Sequence, residues 1–101
     1  MLKSLEELVK IIRSKKKSNP NKSYTKQLLN SKKLCLKKVR EELDELIEAI
    51  QNKKQEKQEA ADLIYHLFVF FEVNNIKIED VMNELKNRQS ISGLEEKSNR
   101  G

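Results

Sequence analysis

Hydrophobic residues recur along this chain every three or four positions, the spacing that places them on one face of an α-helix. Five segments show the pattern, at about residues 4–14, 24–30, 34–51, 55–73 and 78–88. Ser4 opens a capping-box pattern (SLEE) at the first segment, and Ser23 is placed to cap the second. Between them, Asn19-Pro20 predicts a turn within a lysine-rich connector. We therefore expect an all-α protein.

The third and fourth segments are predicted to form the centre of the fold. The third carries an apolar stripe over two heptads, made of Leu36, Val39, Leu43, Leu46 and Ile50. The fourth is apolar on nearly all its faces and would need burial on every side. A chain of 101 residues can hardly supply that burial alone. We expect a helical bundle with a central antiparallel helix pair, completed by homodimerisation.

Two pairs of acidic residues lie on these segments, Glu42 with Glu45 and Glu59 with Asp62. Each pair is spaced i, i+3, so that its two carboxylates project from one helix face. On one continuous helix Glu45 and Glu59 would lie roughly 21 Å apart. A shared site therefore requires the chain to reverse near residues 52–55. Four converging carboxylates would suit Mg²⁺, and Mg²⁺ in proteins points to phosphate chemistry.

Composition supports these expectations and limits the partners. Charged residues make up 37% of the chain, with only 2 Gly and 1 Pro to form turns. The net charge of +5 favours an anionic partner, either nucleic acid or a phosphorylated small molecule. Aromatic residues make up 5% and do not alternate with the lysine clusters, so a base-stacking surface is not expected. We predict no nucleic-acid partner.

Cysteine content and hydropathy indicate the compartment. The single cysteine, Cys35, cannot form an internal disulfide and falls on a helical pattern, where a buried small apolar residue is expected. The longest apolar run, residues 63–71, is less than half of the ~20 residues that a membrane span needs. We expect a soluble, cytoplasmic protein without a membrane partner. One domain over residues 1–88 and a flexible polar tail over 89–101 are predicted.

Longer stretches around the acids resemble a known family. KKVREELDE (37–45) and EAADLIYHLFVF (59–70) are similar to the EExxE…ExxD signature of the all-α MazG-type nucleotide pyrophosphohydrolases. Two further stretches, NKSYTKQLL (21–29) and IKIEDVMNELKNR (76–88), resemble the phosphoribosyl-ATP pyrophosphohydrolases within that superfamily. The chain departs from the family pattern at Arg40, where a small residue is usual, and at Lys77, where a serine cap is common. The hairpin connection also lacks its usual glycine.

The resemblance implies an enzyme that hydrolyses phosphoribosyl-ATP to phosphoribosyl-AMP and pyrophosphate, the second step of histidine biosynthesis. It implies Mg²⁺ as the cofactor, held by Glu42, Glu45, Glu59 and Asp62. Glu41 would act beside the metal or assist the attacking water, and the sequence does not separate these two roles.

Further residues are candidates for binding the substrate. Lys38 shares a helix face with Glu42 and Glu45 and is the strongest candidate for the phosphates. The other candidates are Lys37, Arg88, Tyr24, Thr25 and His66. A helix that starts at Tyr24 suits a phosphate, although capping and packing would explain the same residues. His66, the only histidine, could contact a phosphate or a ligand carboxylate, or could be a core residue.

Three other interpretations stay open. A house-cleaning pyrophosphohydrolase acting on nucleoside triphosphates would use the same four carboxylates with a different base pocket. A non-catalytic helical interaction module would dock through its apolar stripe. Its acids would form a solvated helix face that tolerates Glu42→Gln or Asp62→Asn. A nucleic-acid-binding protein would show steeply salt-dependent retention on DNA or RNA.

Overall fold

The computed structural model describes residues 2–89, which form helices joined by short turns. No strand occurs between residues 2 and 89, so the all-α prediction is confirmed. No helix in this range combines the length and the apolar character that crossing a membrane requires. The predicted tail, 89–101, lies outside the described residues except for Gln89. The elements are α1 (Lys3–Ser14), a 3₁₀ turn (Lys15–Lys17), α2 (Tyr24–Leu29), α3 (Lys32–Asn52), α4 (Glu56–Val73) and α5 (Ile78–Arg88).

Serine caps set the starts of two helices. The Ser23 hydroxyl accepts a hydrogen bond from the backbone N–H three residues further on, at 3.1 Å, which confirms the predicted cap of α2. Ser31 caps α3 in the same way, also at 3.1 Å, so α3 begins two residues before its predicted start. The capping box predicted at Ser4 is wrong, because the N-cap position of α1 is Leu2, two residues earlier, and Leu2 provides no side-chain cap.

The reversal between α3 and α4 lies at residues 53–55, as predicted. Lys53 and Gln55 both have positive φ, of 55° and 60°. This left-handed conformation costs a non-glycine residue roughly 1–2 kcal/mol. Helix packing outweighs that cost, because α3 and α4 form the most extensive contact between any two of the described helices. The hairpin without glycine is therefore closed by packing and not by its turn residues.

A small core lies where α1 and α2 cover one face of the hairpin. Its fully buried residues come one from each of four helices, and they are Ile12, Leu28, Cys35 and Val69. Cys35 is 1% exposed, and its thiol donates to the Leu28 carbonyl at 3.0 Å. Burial raises the pKa of this thiol. Cys35 is thus the buried packing residue that the sequence predicts.

Another face of the hairpin leaves apolar side chains uncovered. On α3 they lie within an arc of about 60°. They are Leu36, Leu43, Ile47 and Ile50, between 37% and 54% exposed. On α4, Ile64 is 40% exposed. The burial of α4 on every side that its sequence requires is therefore not achieved within one chain.

Ion pairs join α1 to the end of α4 and the start of α5. The Arg13 guanidinium donates to both oxygens of Glu79, at 2.9 and 2.7 Å, and to Glu72 at 3.4 Å. Lys16 contacts the other Glu72 oxygen at 2.6 Å. The hydrogen bonds between Arg13 and Glu79 lower the pKa of Glu79 to about 2. Because Glu79 lies in the first turn of α5, these pairs hold α5 against α1.

We predict that Glu79→Gln destabilises the protein at neutral pH. A carboxylate with a depressed pKa stabilises the folded state above its unfolded pKa of about 4.3. That contribution is lost as the pH falls towards about 2. Urea denaturation of both proteins should therefore show a difference at neutral pH that shrinks steadily below about pH 5.

The matched control is Glu84→Gln. Glu84 pairs with Arg88 in an exposed i, i+4 pair on the same helix, and such a pair contributes little. An equal loss of stability in the two variants at neutral pH would contradict the role given to Glu79.

Candidate metal and phosphate site

Three carboxylates from the two hairpin helices meet at one point. Glu42 and Glu45 of α3 and Glu59 of α4 each offer one oxygen, and these oxygens lie within 4.8 Å of one another. Glu42 comes seven residues after Cys35 and seven before Ala49, both of which are buried, so it lies on the inward face of α3. The antiparallel hairpin thus brings together acids from both predicted pairs.

Two oxygens of this cluster are buried and lack a hydrogen-bond partner, namely Oε2 of Glu42 and Oε2 of Glu59. Desolvation raises the pKa of both carboxyls, and the neighbouring charge of Glu45 raises them further. A buried carboxylate with neither a donor nor a cation beside it is unfavourable. The donor atoms are all oxygens, which Mg²⁺ and similar ions prefer. The residues present therefore fit a hard divalent cation between α3 and α4.

Asp62, the fourth predicted ligand, lies outside this close group. It is exposed, one turn beyond Glu59 on α4. Its charge contributes to the raised pKa of both Glu42 and Glu59. Asp62 is thus close enough to act electrostatically on the cluster. Three of the four predicted ligands converge, and the role of Asp62 as a ligand stays a prediction.

Lys38 lies beside the cluster and is already paired. Its ammonium donates to Glu41 Oε2 at 3.1 Å, and this hydrogen bond raises the pKa of Lys38. Glu42 and Tyr24 also interact electrostatically with this ammonium. Lys38 therefore occupies the rim of the acid cluster. Glu41 binds Lys38 and is not one of the three converging carboxylates.

Tyr24 and His66 connect α2 to the same region. The Tyr24 oxygen lies 3.1 Å from His66 Nε2, and His66 Nδ1 lies 2.8 Å from the carbonyl oxygen of Asp62. His66 is 8% exposed, whereas Tyr24 is 45% exposed. Burial raises the pKa of Tyr24, and the nearby charge of Lys38 opposes that rise. The histidine is thus a core residue with both ring nitrogens hydrogen-bonded, and the tyrosine is the partner that reaches the surface.

Thr25 is paired with a residue that sequence reasoning does not identify. Its hydroxyl is hydrogen-bonded to the Tyr65 hydroxyl. The Tyr65 ring lies edge-on to His66, with the two ring centroids 5.0 Å apart. Thr25 and Tyr65 are 40 positions apart, so helical periodicity carries no signal of their contact. Thr25 therefore attaches α2 to α4 beside the acids.

Lys37 and Arg88 are the weaker phosphate candidates. Lys37 points about 140° around α3 from Glu42. With Lys33 and Arg40 it lines an open depression of about 660 Å³ at the start of α3. Arg88 donates to Glu84 on its own helix at 3.2 Å. The unusual Arg40 thus borders this depression and not the converging carboxylates.

A helical hairpin with carboxylates facing each other across its two helices is the arrangement expected of an all-α nucleotide pyrophosphohydrolase. A sequence model described as phosphoribosyl-ATP pyrophosphohydrolase matches residues 5–89. The chain belongs to the phosphoribosyl-ATP pyrophosphohydrolase family. The match begins in the first turn of α1 and ends just after α5, so it covers all of the described fold except its first three residues.

Curated relatives agree with this family. The phosphoribosyl-ATP pyrophosphatase of Sinorhizobium medicae is 39% identical over 100 residues, which cover 96% of this chain and 94% of the relative. The one of Dechloromonas aromatica is 38% identical over 100 residues, with coverage of 96% and 93%. The chloroplastic histidine biosynthesis bifunctional protein of Arabidopsis thaliana is 40% identical over 81 residues, 77% of this chain and 29% of that protein. No solved structure matches the chain.

We predict that Glu59→Gln stabilises the metal-free protein at neutral pH. A carboxyl whose pKa is raised on folding makes the folded state lose stability as the pH rises through the unfolded pKa of about 4.3. Desolvation and the charge of Glu45 raise the pKa of Glu59 in this way, so removing its charge relieves an unfavourable contact. Thermal melts in a chelator should show the variant above the wild type at neutral pH and equal to it in acid.

Adding Mg²⁺ should reverse the order of the two melting temperatures, so that the wild type melts above Glu59→Gln. A cation that binds only the folded state raises the melting temperature, and the wild type has the complete ligand set. Glu48→Gln is the control, because Glu48 is exposed on α3 and outside the cluster. Equal responses to Mg²⁺ in the wild type and in Glu59→Gln would contradict a cation site at this cluster.

Proposed function

We propose that this protein hydrolyses the α–β phosphoanhydride bond of phosphoribosyl-ATP, giving phosphoribosyl-AMP and pyrophosphate, as a step of histidine biosynthesis. The family match over residues 5–89 supports this choice of substrate. The observation that carries the chemistry is the pair of buried, unpartnered oxygens on Glu42 and Glu59, which belong to carboxylates converging from the two hairpin helices.

We assign Mg²⁺ to this cluster, with Glu42, Glu45 and Glu59 as ligands and Asp62 at its edge as the fourth. When bound, the ion would neutralise phosphate charge and lower the pKa of a bound water. The protein holds the ligand oxygens in place before the ion binds. The extensive contact between α3 and α4 fixes their positions. Three adjacent carboxylates repel a polyphosphate, so binding of the substrate depends on the cation.

Lys38 is the residue best placed to bind a phosphate oxygen beside the ion. Its ammonium lies at the rim of the cluster, and its side chain is 34% exposed, so a phosphate can approach it from solvent. The Glu41 carboxylate holds this ammonium at 3.1 Å. Of the two roles open to Glu41, this contact supports a place beside the metal ligands, where the carboxylate orients Lys38, over assistance to the attacking water.

We also propose that a second copy of the chain covers the uncovered apolar face of α3. Leu36, Leu43, Ile47 and Ile50 are exposed and lie on one face of α3, and a group of exposed apolar side chains on one face marks an interaction site. The charges of α3 divide along its length, with lysines and an arginine up to residue 40 and acids from 41 to 48. Two antiparallel copies of α3 would place each basic half opposite an acidic half. A two-fold axis produces that arrangement.

We predict Mg²⁺-dependent release of pyrophosphate from phosphoribosyl-ATP. Glu42→Gln should lower kcat/KM by at least about 100-fold, because it replaces a charged carboxylate ligand with a neutral amide, and Asp62→Asn by at least about tenfold. Glu48→Gln, on the exposed side of α3, should retain wild-type activity. Circular dichroism should show that all three variants keep their helices.

Three outcomes would contradict this proposal. Comparable turnover of dUTP or dCTP would overturn the substrate assignment in favour of a house-cleaning pyrophosphohydrolase. Full activity in Glu42→Gln would overturn the site. A wild type inactive on every nucleotide would favour the non-catalytic interaction module.

We predict that the wild type sediments as two chains of 11.9 kDa each. The double substitution Ile47→Lys with Ile50→Lys should dissociate the dimer, because burying an ammonium in an apolar contact is unfavourable. Met82→Lys is the control, since Met82 is also an exposed apolar residue but lies on α5. A monomeric wild type, or dissociation by the control substitution, would contradict the interface on α3.

A further inference from the structure

The hydrogen bonds around His66 determine the position of one proton. The backbone carbonyl of Asp62 can only accept, so His66 Nδ1, which lies 2.8 Å from it, carries a hydrogen. In the neutral imidazole Nε2 then carries none and acts as an acceptor. The Tyr24 hydroxyl lies 3.1 Å from Nε2. It therefore donates its hydrogen to His66.

The imidazole has little freedom to change this arrangement. Two tyrosine rings lie edge-on to it, Tyr24 with a centroid distance of 5.9 Å and Tyr65 with one of 5.0 Å. The Tyr65 hydroxyl is in turn held by Thr25. His66 is therefore enclosed between α2 and α4, and of the hydrogen-bonded pair only Tyr24, at 45% exposed, is open to a substrate.

This proton arrangement decides what Tyr24 can bind. Burial raises the pKa of the phenol, so the hydroxyl keeps its one hydrogen at neutral pH, and that hydrogen is committed to His66. Within residues 2–89 His66 is the only hydrogen-bond partner of the Tyr24 oxygen, which leaves a lone pair as an acceptor. A phosphate oxygen is also an acceptor and does not pair with it. The partner of Tyr24 must be a donor.

We propose that His66 is a positioning residue that holds Tyr24 as the hydrogen-bond acceptor for an O–H group at the site. That group is either a ribose hydroxyl of the nucleotide or a water at the cation site. Glu42 and Lys38 both act electrostatically on Tyr24, so the phenol lies at the border between the acid cluster and its basic rim. This role rests on the activity proposed above. It adds recognition of a hydroxyl group to the recognition of phosphate charge.

Nitrogen-15 NMR of the metal-free wild type tests the proton arrangement without substrate. The chain has 1 histidine, so the side-chain signals need no assignment. Nδ1, which faces the Asp62 carbonyl, should carry the hydrogen and Nε2, which faces Tyr24, should not. Tyr24→Phe should shift the Nε2 signal. A ring protonated at Nε2 would overturn the proposal whether or not the protein hydrolyses phosphoribosyl-ATP.

Paired variants test the positioning role in turnover. Tyr24→Phe should lower kcat/KM for phosphoribosyl-ATP by about tenfold, the size of one hydrogen bond, chiefly through KM. His66→Asn retains an amide donor for the Asp62 carbonyl, but its shorter side chain places no acceptor where Nε2 meets Tyr24, and it should cost a similar factor. His66→Gln, whose amide oxygen can accept from Tyr24, should restore most of the activity.

Combining the substitutions separates positioning from a general structural role. In protein that already carries Tyr24→Phe, His66→Asn should cost little more, because the acceptor has lost its partner. Losses that simply multiply would show that His66 acts independently of Tyr24 and would overturn the proposal.

Substrate analogues identify the source of the O–H group. If a ribose hydroxyl is the donor, the analogue lacking that hydroxyl should react equally with the wild type and Tyr24→Phe. If a water at the cation site is the donor, the tenfold factor should persist with every analogue, and Tyr24→Phe should reduce the rise in melting temperature on adding Mg²⁺. An active wild type with no effect of Tyr24→Phe would overturn this proposal alone. An inactive wild type would overturn the proposed function with it.

Discussion

The contact between α3 and α4 holds together groups that would otherwise repel one another. Glu42, Glu45 and Glu59 converge to within 4.8 Å, and the hairpin turn places two non-glycine residues at positive φ. Both features have a cost in free energy, and apolar packing between the helices outweighs it. On separated helices the same carboxylates would be hydrated, and their pKa values would not be raised by burial. Packing removes water from two of their oxygens, and this desolvation is what favours a cation at the site.

The acidic residues of this protein fall into two contrasting environments. Glu79 and Glu72 meet Arg13 and Lys16, and the pKa of Glu79 falls to about 2 because of that pairing. Glu42 and Glu59 each have one buried oxygen without a hydrogen-bond partner and form no ion pair within the described chain, and desolvation raises the pKa of each. The first group forms ion pairs with basic side chains of the same chain, and these pairs stabilise the fold. The second group leaves its charge uncompensated, which is the condition for binding a cation from solution.

The short helix α2 depends on contacts with the rest of the protein for its stability. A six-residue helix is not stable in isolation. The Ser23 cap, the buried Leu28 and the hydrogen bonds of Tyr24 and Thr25 to α4 hold it in place. Most of these contacts are to the hairpin, so a change in the packing of α4 would move the Tyr24 hydroxyl. Hydrogen bonds to α4 therefore hold α2 in place, and α2 positions the exposed phenol of Tyr24 beside the carboxylates.

Sequence by itself determined the helices, the reversal near residue 54, the buried Cys35 and the two i, i+3 pairs of acids, because each depends on local spacing or on a short-range turn. Tertiary structure decided that Asp62 stays at the edge of the cluster and that Tyr24 meets a histidine 42 positions away. It also left one apolar face of α3 uncovered. These outcomes depend on how far each helix is rotated about its axis against its neighbour, and packing between distant segments sets that rotation.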